Sequence, residues 1–256
     1  MPDGQPAWLH EFQPFSAHHV LVLCVSALIM GVLLGLGRRW RGTPKEALWR
    51  RLWGAGIIVT QIATISWWML PANWEPGVSL PLHVCDLTVW VGAVALLAPS
   101  RLAACITYFW GIGLSSQAFI TPTLQEGPAQ MQYWWFWIQH TQIVGVGLYV
   151  VIVDRFRPTL RDVGAITIAS FVYLGLILAI NIPLDLNYGY VGRAEPSTET
   201  LIQRLGPWPL RLVWIALIVE AVYLAMWAIW PLGLNRLWGG GRRAARSASI
   251  IGPWPG

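Results

Sequence analysis

Seven apolar runs, at about residues 16–36, 53–70, 79–98, 102–120, 132–153, 163–182 and 210–230, are separated by short segments rich in Pro, Gly and charged residues. Each run has 18 to 22 residues. At a rise of about 1.5 Å per residue, that length crosses a hydrocarbon layer of about 30 Å. The pattern predicts an all-α polytopic membrane protein with seven transmembrane helices. Residues 1–15 then form a polar external segment, 16–230 the seven-helix membrane domain, and 231–256 a basic, Gly-rich cytoplasmic tail. The first fifteen residues hold no Lys or Arg, so the basic start of a cleavable signal peptide is missing and the first run is expected to be retained.

Polar residues interrupt the runs at a few places only. His83 and Asp86 stand near the start of the third run, in SLPLHVCDLTVW. A helix there places both on one face, with Trp90 a turn further along. The second half of the fourth run holds Gly111, Gly113, Ser115, Ser116 and Gln117, a composition that favours close helix packing. The fifth buries Gln139, His140 and Gln142, and the seventh carries Glu220 near its centre. Between runs six and seven, residues 181–209 are too polar to span and dense in turn formers, and Asn181 and Asp185 open them.

Composition agrees with this reading. Of the 256 residues 55% are hydrophobic and 11% charged, about half the charged fraction of a soluble domain. The net charge of +5 does not point to nucleic acid, because the basic residues lie between apolar runs. Fourteen of the seventeen Lys and Arg fall on the side reached after runs one, three, five and seven. By the positive-inside rule the N-terminus is outside and the C-terminus is cytoplasmic. Several of the eighteen tryptophans cluster at run ends (Trp67, Trp68, Trp74, Trp134, Trp135, Trp208, Trp227 and Trp230), as interfacial aromatic belts require. Cys24, Cys85 and Cys105 lie in apolar runs without metal-type spacing, so no metal, cofactor or disulfide framework is expected.

With that topology, His83 lies roughly 6 Å, Asp86 roughly 10 Å, His140 roughly 12 Å and Glu220 roughly 15 Å below the outer boundary. Ser116, Gln117 and Asn181 fall in the same outer layer. Ionisable residues at membrane depth mark a site or a pathway, and this layer predicts one outward-opening polar cavity. A histidine serves there as general base, Asp86 orients it, and Cys85 or a hydroxyl (Ser115, Ser116 or Thr121) is the nucleophile. On a regular helix His83 and Cys85 diverge by about 200°, so a base for Cys85 comes from another helix, such as His140. Gln117, Ser116, Glu220 and Asn181 are the candidate substrate-binding residues. Lys45 is the only lysine, and it lies in a loop, so a retinal Schiff base is excluded.

Several stretches taken together, LPLHVCDLTVW, YFWGIGLSSQAFITP, FWIQH, NIPLDLNYGYVGRAEPST and LGPWP, resemble the bacterial YwaF-like integral membrane family, from about Leu80 to Pro209. That family is distantly similar to a eukaryotic transmembrane acyltransferase family that remodels ether phospholipids through a cysteine and a histidine in a Pro-Cys-His stretch. The matching residues here are Pro81, Leu82 and His83, with leucine at the nucleophile position and Cys85 three residues on. His140 resembles that family's second histidine. The resemblance implies a bacterial inner-membrane protein acting on a lipid acyl group, as acyltransferase or hydrolase, with membrane lipids and other membrane proteins as partners. Two alternatives rest on the same residues: a carrier or proton-coupled permease, and a non-catalytic subunit of a membrane complex.

Overall fold

The structure, a computed structural model, describes residues 6–193 and 204–234. Most of the tail and part of the 181–209 segment lie outside the described residues. Seven α-helices follow one another: α1 (Ala17–Trp40), α2 (Pro44–Trp68), α3 (Val84–Leu97), α4 (Arg101–Ile106), α5 (Met131–Ile152), α6 (Leu160–Leu184) and α7 (Leu210–Ile229). Four of them are long and apolar enough to cross a membrane, namely α1, α5, α6 and α7 with its extension to Leu232. Val84–Leu97 is apolar but shorter. Among the described residues the only strand-like pairing is an isolated bridge between Glu11 and Glu126, where the N-terminal segment crosses the loop ahead of α5.

The centre of the bundle is α3, α5 and the stretch that begins with α4, and its fully buried side chains include Phe109, Ile143, Val146 and Tyr149. α1, α6 and α7 lie outside them and expose large apolar side chains such as Leu28, Ile168, Leu176 and Leu217. In water such faces would be costly; against lipid tails they are the expected surface.

Three helix boundaries differ from the pattern-based reading, each for a local reason. α2 starts at Pro44 rather than at residue 53. Proline suits the first helical position, and the Glu46 carboxylate accepts the Gly42 backbone N–H at 2.6 Å, so the expected basic loop is largely helix. α3 starts at Val84, not at residue 79, because Asp86 caps it from its third position by accepting the His83 backbone N–H at 3.0 Å. The fourth run is not a uniform helix. α4 passes into π-helical turns at Thr107–Leu114 and then a 3-10 segment at Ser115–Phe119.

The small residues of that fourth run do pack closely. A Cβ at Gly113 would stand 2.6 Å from the Met226 sulfur of α7, and one at Gly147 of α5 would stand 2.7 Å from Ile112. The tryptophans are not all interfacial: Trp230 is buried, donates to the Tyr108 hydroxyl at 3.0 Å, and lies under Arg157, whose guanidinium is 4.1 Å from its ring centre.

Polar contacts gather alternate chain turns at one end. Arg50 of α2 donates to Asp154 after α5 at 2.6 Å, and to the Ala95 and Leu96 carbonyls at the end of α3 at 2.8 and 3.2 Å. Those carbonyls have no partner inside α3. Glu46 joins the same group by accepting from the Tyr149 hydroxyl at 3.1 Å. Arg101 grips the Asp162 carboxylate at both oxygens, at 2.9 and 2.5 Å. Part of the basic inventory is thus structural as well as topological.

Removing Arg50 leaves Asp154 and two carbonyls buried without their donor. We expect Arg50→Ala to cost about 3–5 kcal/mol, read as a lowered Tm of the detergent-solubilised protein. Burial, only partly offset by Arg50, pushes the Asp154 carboxyl up from 3.8 to about 6. The folded state therefore holds that proton to a higher pH than the unfolded chain does. Stability is expected to fall as pH rises through this window and to level off above it, and Asp154→Asn should remove that slope from the Tm profile.

Candidate functional site

The opposite end of the bundle holds the histidine pair, and its construction begins with backbone that is not helical. Residues 79–83 run without helix between α2 and α3, behind Pro81. Their polar groups are met by side chains: the Leu80 N–H donates to the Tyr188 hydroxyl at 3.1 Å, the Leu82 carbonyl accepts from the Tyr173 hydroxyl at 2.9 Å, and the His83 N–H donates to Asp86. Buried backbone groups left unpaired would cost about 1–3 kcal/mol each. Residues 80–87 are all half-buried.

His83 is therefore the cap of α3 and not a member of its helical face, which corrects the expected alignment of His83 with Asp86 and Trp90. The ring turns to the segment after α6, 5.1 Å from Tyr188 and 5.6 Å from Tyr190 between centres, and its Nδ1 accepts the Gly189 backbone N–H at 3.3 Å. Gly189 has φ +67°, and a Cβ there would stand 2.6 Å from the Tyr173 hydroxyl, so this position needs glycine. Burial raises the phenols of Tyr188 and Tyr190 above their ordinary range, and both remain neutral donors.

Asp86 also differs from expectation. One oxygen takes the His83 backbone N–H at 3.0 Å and the other takes the Gln139 amide of α5 at 2.8 Å. It holds the start of α3 against α5, so it positions the histidines through backbone and amide rather than through a ring nitrogen. His140 follows Gln139 on α5, is buried, and has Asp86 and His83 as its titratable neighbours. Its Nδ1 is 2.8 Å from the Phe136 carbonyl. A carbonyl can only accept, so Nδ1 carries the proton and Nε2 presents a lone pair. Cys85 is half-buried. It lies in the first turn of α3, near Asp86, Tyr173 and Tyr190.

The structure thus brings together His83, Asp86 and His140, with Cys85 next to Asp86 at the head of α3. The other candidates are placed elsewhere. Asn181 is buried and uses its amide on the Tyr188 backbone, donating to the carbonyl at 2.8 Å and accepting from the N–H at 3.0 Å. Glu220 accepts from Thr167 at 2.8 Å across the α6–α7 contact. Ser115 is buried and donates to the Trp110 carbonyl at 3.0 Å. Ser116 is half-buried, and Gln117 and Thr121 are exposed. A groove of about 480 Å³ lies beside the start of α1, lined by Trp8, Glu11, Ser16 and His18 among others, away from the histidine pair. Sequence reasoning did not single out Gln139, Tyr173, Tyr188 or Tyr190 as site residues. The NYGY stretch carried the signal for the two loop tyrosines, and the position beside His140 carried it for Gln139.

A family model for the TMEM164 family matches residues 14–230. The chain belongs to the TMEM164 family. The search of curated proteins and the search of solved structures returned no match. The part matched to the family contains every candidate discussed above, the histidine pair and Cys85 included, and its membership together with the apolar helices makes this an integral membrane protein.

Within this family member, Asn181 is the post that holds the Tyr188–Tyr190 turn against His83. Asn181→Leu leaves the Tyr188 N–H and carbonyl unpaired at a buried position, a loss of about 1–3 kcal/mol for each group. The expected outcome is faster proteolytic cutting around residues 185–193 and faster thiol labelling of Cys85, with α1 to α5 intact by circular dichroism.

Proposed function

We propose that this is a seven-crossing protein of a bacterial inner membrane, N-terminus outside, that performs acyl chemistry on a membrane lipid at its outer end. The observation that carries the reading is the tie between the head of α3, which holds His83, Cys85 and Asp86, and the turn of α5 that holds Gln139 and His140, made by the Gln139 amide donating to Asp86 at 2.8 Å. A thiol and a neutral imidazole with a free lone pair are the pairing that nucleophilic acyl transfer uses. The seven crossings are supported by the charge asymmetry and by the gathering of the turns after α1, α3 and α5 at one end. α2, α3 and the stretch from α4 supply the three crossings beyond the four long apolar helices.

In this mechanism His140 takes the proton of the Cys85 thiol while the sulfur attacks the carbonyl carbon of a lipid ester. The carbonyl electron pair moves to oxygen, then returns as the ester C–O bond breaks. His140 gives the proton to the leaving alkoxide, and a thioester remains on Cys85. A lysolipid hydroxyl completes an acyl transfer, or water completes a hydrolysis. The resemblance of Pro81, Leu82 and His83 to a Pro-Cys-His stretch, and of His140 to that family's second histidine, supports the same assignment, with Cys85 in the nucleophile's role. A carrier is less well supported: Ile57, Val89, Ile143 and Val146, all fully buried, interpose an apolar layer between the histidine end and the Arg50 end.

The test is an untargeted lipid profile of cells expressing wild type, Cys85→Ala or His140→Ala at matched membrane levels. One ester-lipid class should shift with wild type, and each variant should lower that activity at least about 100-fold. An unchanged profile with wild type would refute lipid chemistry here; loss in His140→Ala alone would move the nucleophile to a hydroxyl.

A further inference from the structure

The two histidines of the site are tied to backbone in opposite senses. The Nδ1 of His140 is 2.8 Å from the Phe136 carbonyl oxygen, which has only lone pairs to offer. The Nδ1 of His83 receives the Gly189 backbone N–H at 3.3 Å, a group that can only donate. A neutral imidazole carries one proton. In His140 it is therefore on Nδ1, and Nε2 is a proton acceptor. In His83 it is on Nε2, and Nε2 is a hydrogen-bond donor.

Neither arrangement is incidental. His140 makes its contact to the carbonyl one helical turn back on its own helix, so the helix itself sets the ring's state. Gly189 points its N–H at His83 because the turn is pinned on three sides. Asn181 holds the Tyr188 backbone, the Tyr188 hydroxyl donates to the Pro76 carbonyl at 2.6 Å, and the Tyr190 hydroxyl donates to Thr123 at 3.3 Å. The left-handed φ of +67° at Gly189 is what turns that N–H toward the ring. Asp86 takes the His83 backbone N–H and the Gln139 amide rather than a ring nitrogen, so neither assignment is set by the carboxylate.

We infer that the site divides its chemistry between two histidines locked in opposite tautomers: His140 is the proton acceptor, and His83 is a neutral donor that holds the substrate oxygen on which charge develops. The inference rests on the acyl-transfer reading for its catalytic half. In the attack step, the proton leaves the nucleophile for His140 Nε2, the carbonyl electron pair moves to oxygen, and the His83 Nε2–H bonds to that oxygen. When the carbon–oxygen bond to the leaving group breaks, His140 returns its proton there, and His83 ends with the proton it began with. An oxyanion donor of this kind is worth about 100- to 1000-fold in rate. A general base is worth about 100- to 10000-fold.

Imidazole 15N shifts read the tautomers without reference to activity. The full chain, labelled with 15N-histidine and reconstituted in phospholipid nanodiscs, contains five histidines. Signals of the pair are assigned by their disappearance in His83→Gln and His140→Gln. The expected spectrum near neutral pH has protonated Nδ1 and bare Nε2 for His140, and the reverse for His83. The same tautomer at both positions, or a doubly protonated His83, would overturn the proposal.

The lipid assay then tests the roles. Glutamine keeps an N–H donor near the Nε2 position but has no basicity. His83→Gln should retain activity within about tenfold of wild type while His83→Leu loses about 100-fold or more, and His140→Gln should lose at least about 100-fold. Equal losses in His83→Gln and His83→Leu would refute the donor role. Opposite tautomers in a wild type without lipid activity would uphold the locked pair and refute the acyl-transfer reading instead.

Discussion

Buried backbone that leaves the helix must find partners for its N–H and C=O groups inside the protein, and residues 79–83 are where this molecule meets that demand. Three tyrosine and aspartate side chains, Tyr188, Tyr173 and Asp86, pair with the exposed groups of Leu80, Leu82 and His83. Because Tyr173 comes from α6 and Tyr188 from the turn that follows it, the unwound segment ties α3 to the far side of the bundle. The same unwinding places His83 at the head of α3 rather than along it, with Cys85 and Asp86 in the first turn of the helix. The requirement to satisfy backbone therefore fixes where the candidate residues stand.

The two ends of the bundle solve different problems with similar residues. At one end Arg50 and Arg101 close buried carboxylates and the terminal carbonyls of α3, and the groups they bind are largely consumed by structure. At the other end the ring nitrogens of His83 and His140 each have one side fixed by backbone and one side turned away from it. Buried ion pairs of the first kind contribute more to a defined arrangement than to net stability, and here they hold the turns after α1, α3 and α5 together. Fixed imidazoles of the second kind are what a reacting substrate can use.

The stretch from α4 shows how packing sets helix geometry. Gly111 and Gly113, with Gly147 opposite, bring the backbone of this stretch within a methyl group's distance of α5 and α7. Its π-helical turns widen the helix where Thr107 to Leu114 pass through the centre, and Ser115 closes the segment by donating both its backbone N–H and its hydroxyl to the Trp110 carbonyl. Wide turns of this type are frequent near functional sites. Here the segment that follows, Ser115–Phe119, ends at the same side of the bundle as the histidine pair.

Much of this protein was legible in the order of apolar and polar residues. Run lengths that match a bilayer, basic residues on alternate turns and histidines inside apolar runs depend only on chain-local chemistry, so the all-helical class and the membrane setting could be read without coordinates, and His83, Cys85, Asp86 and His140 could be named as candidates. Tertiary structure decided the rest. Whether residues 79–83 would be helix depended on tyrosines about a hundred positions away, and periodicity does not report such partners. Asn181 and Glu220 read as site residues because polarity at depth is rare, yet their partners, the Tyr188 backbone and Thr167, make them struts between neighbouring elements. Which nitrogen of each histidine faces outward depended on a carbonyl in one case and an N–H in the other, a difference of backbone orientation that no residue type encodes.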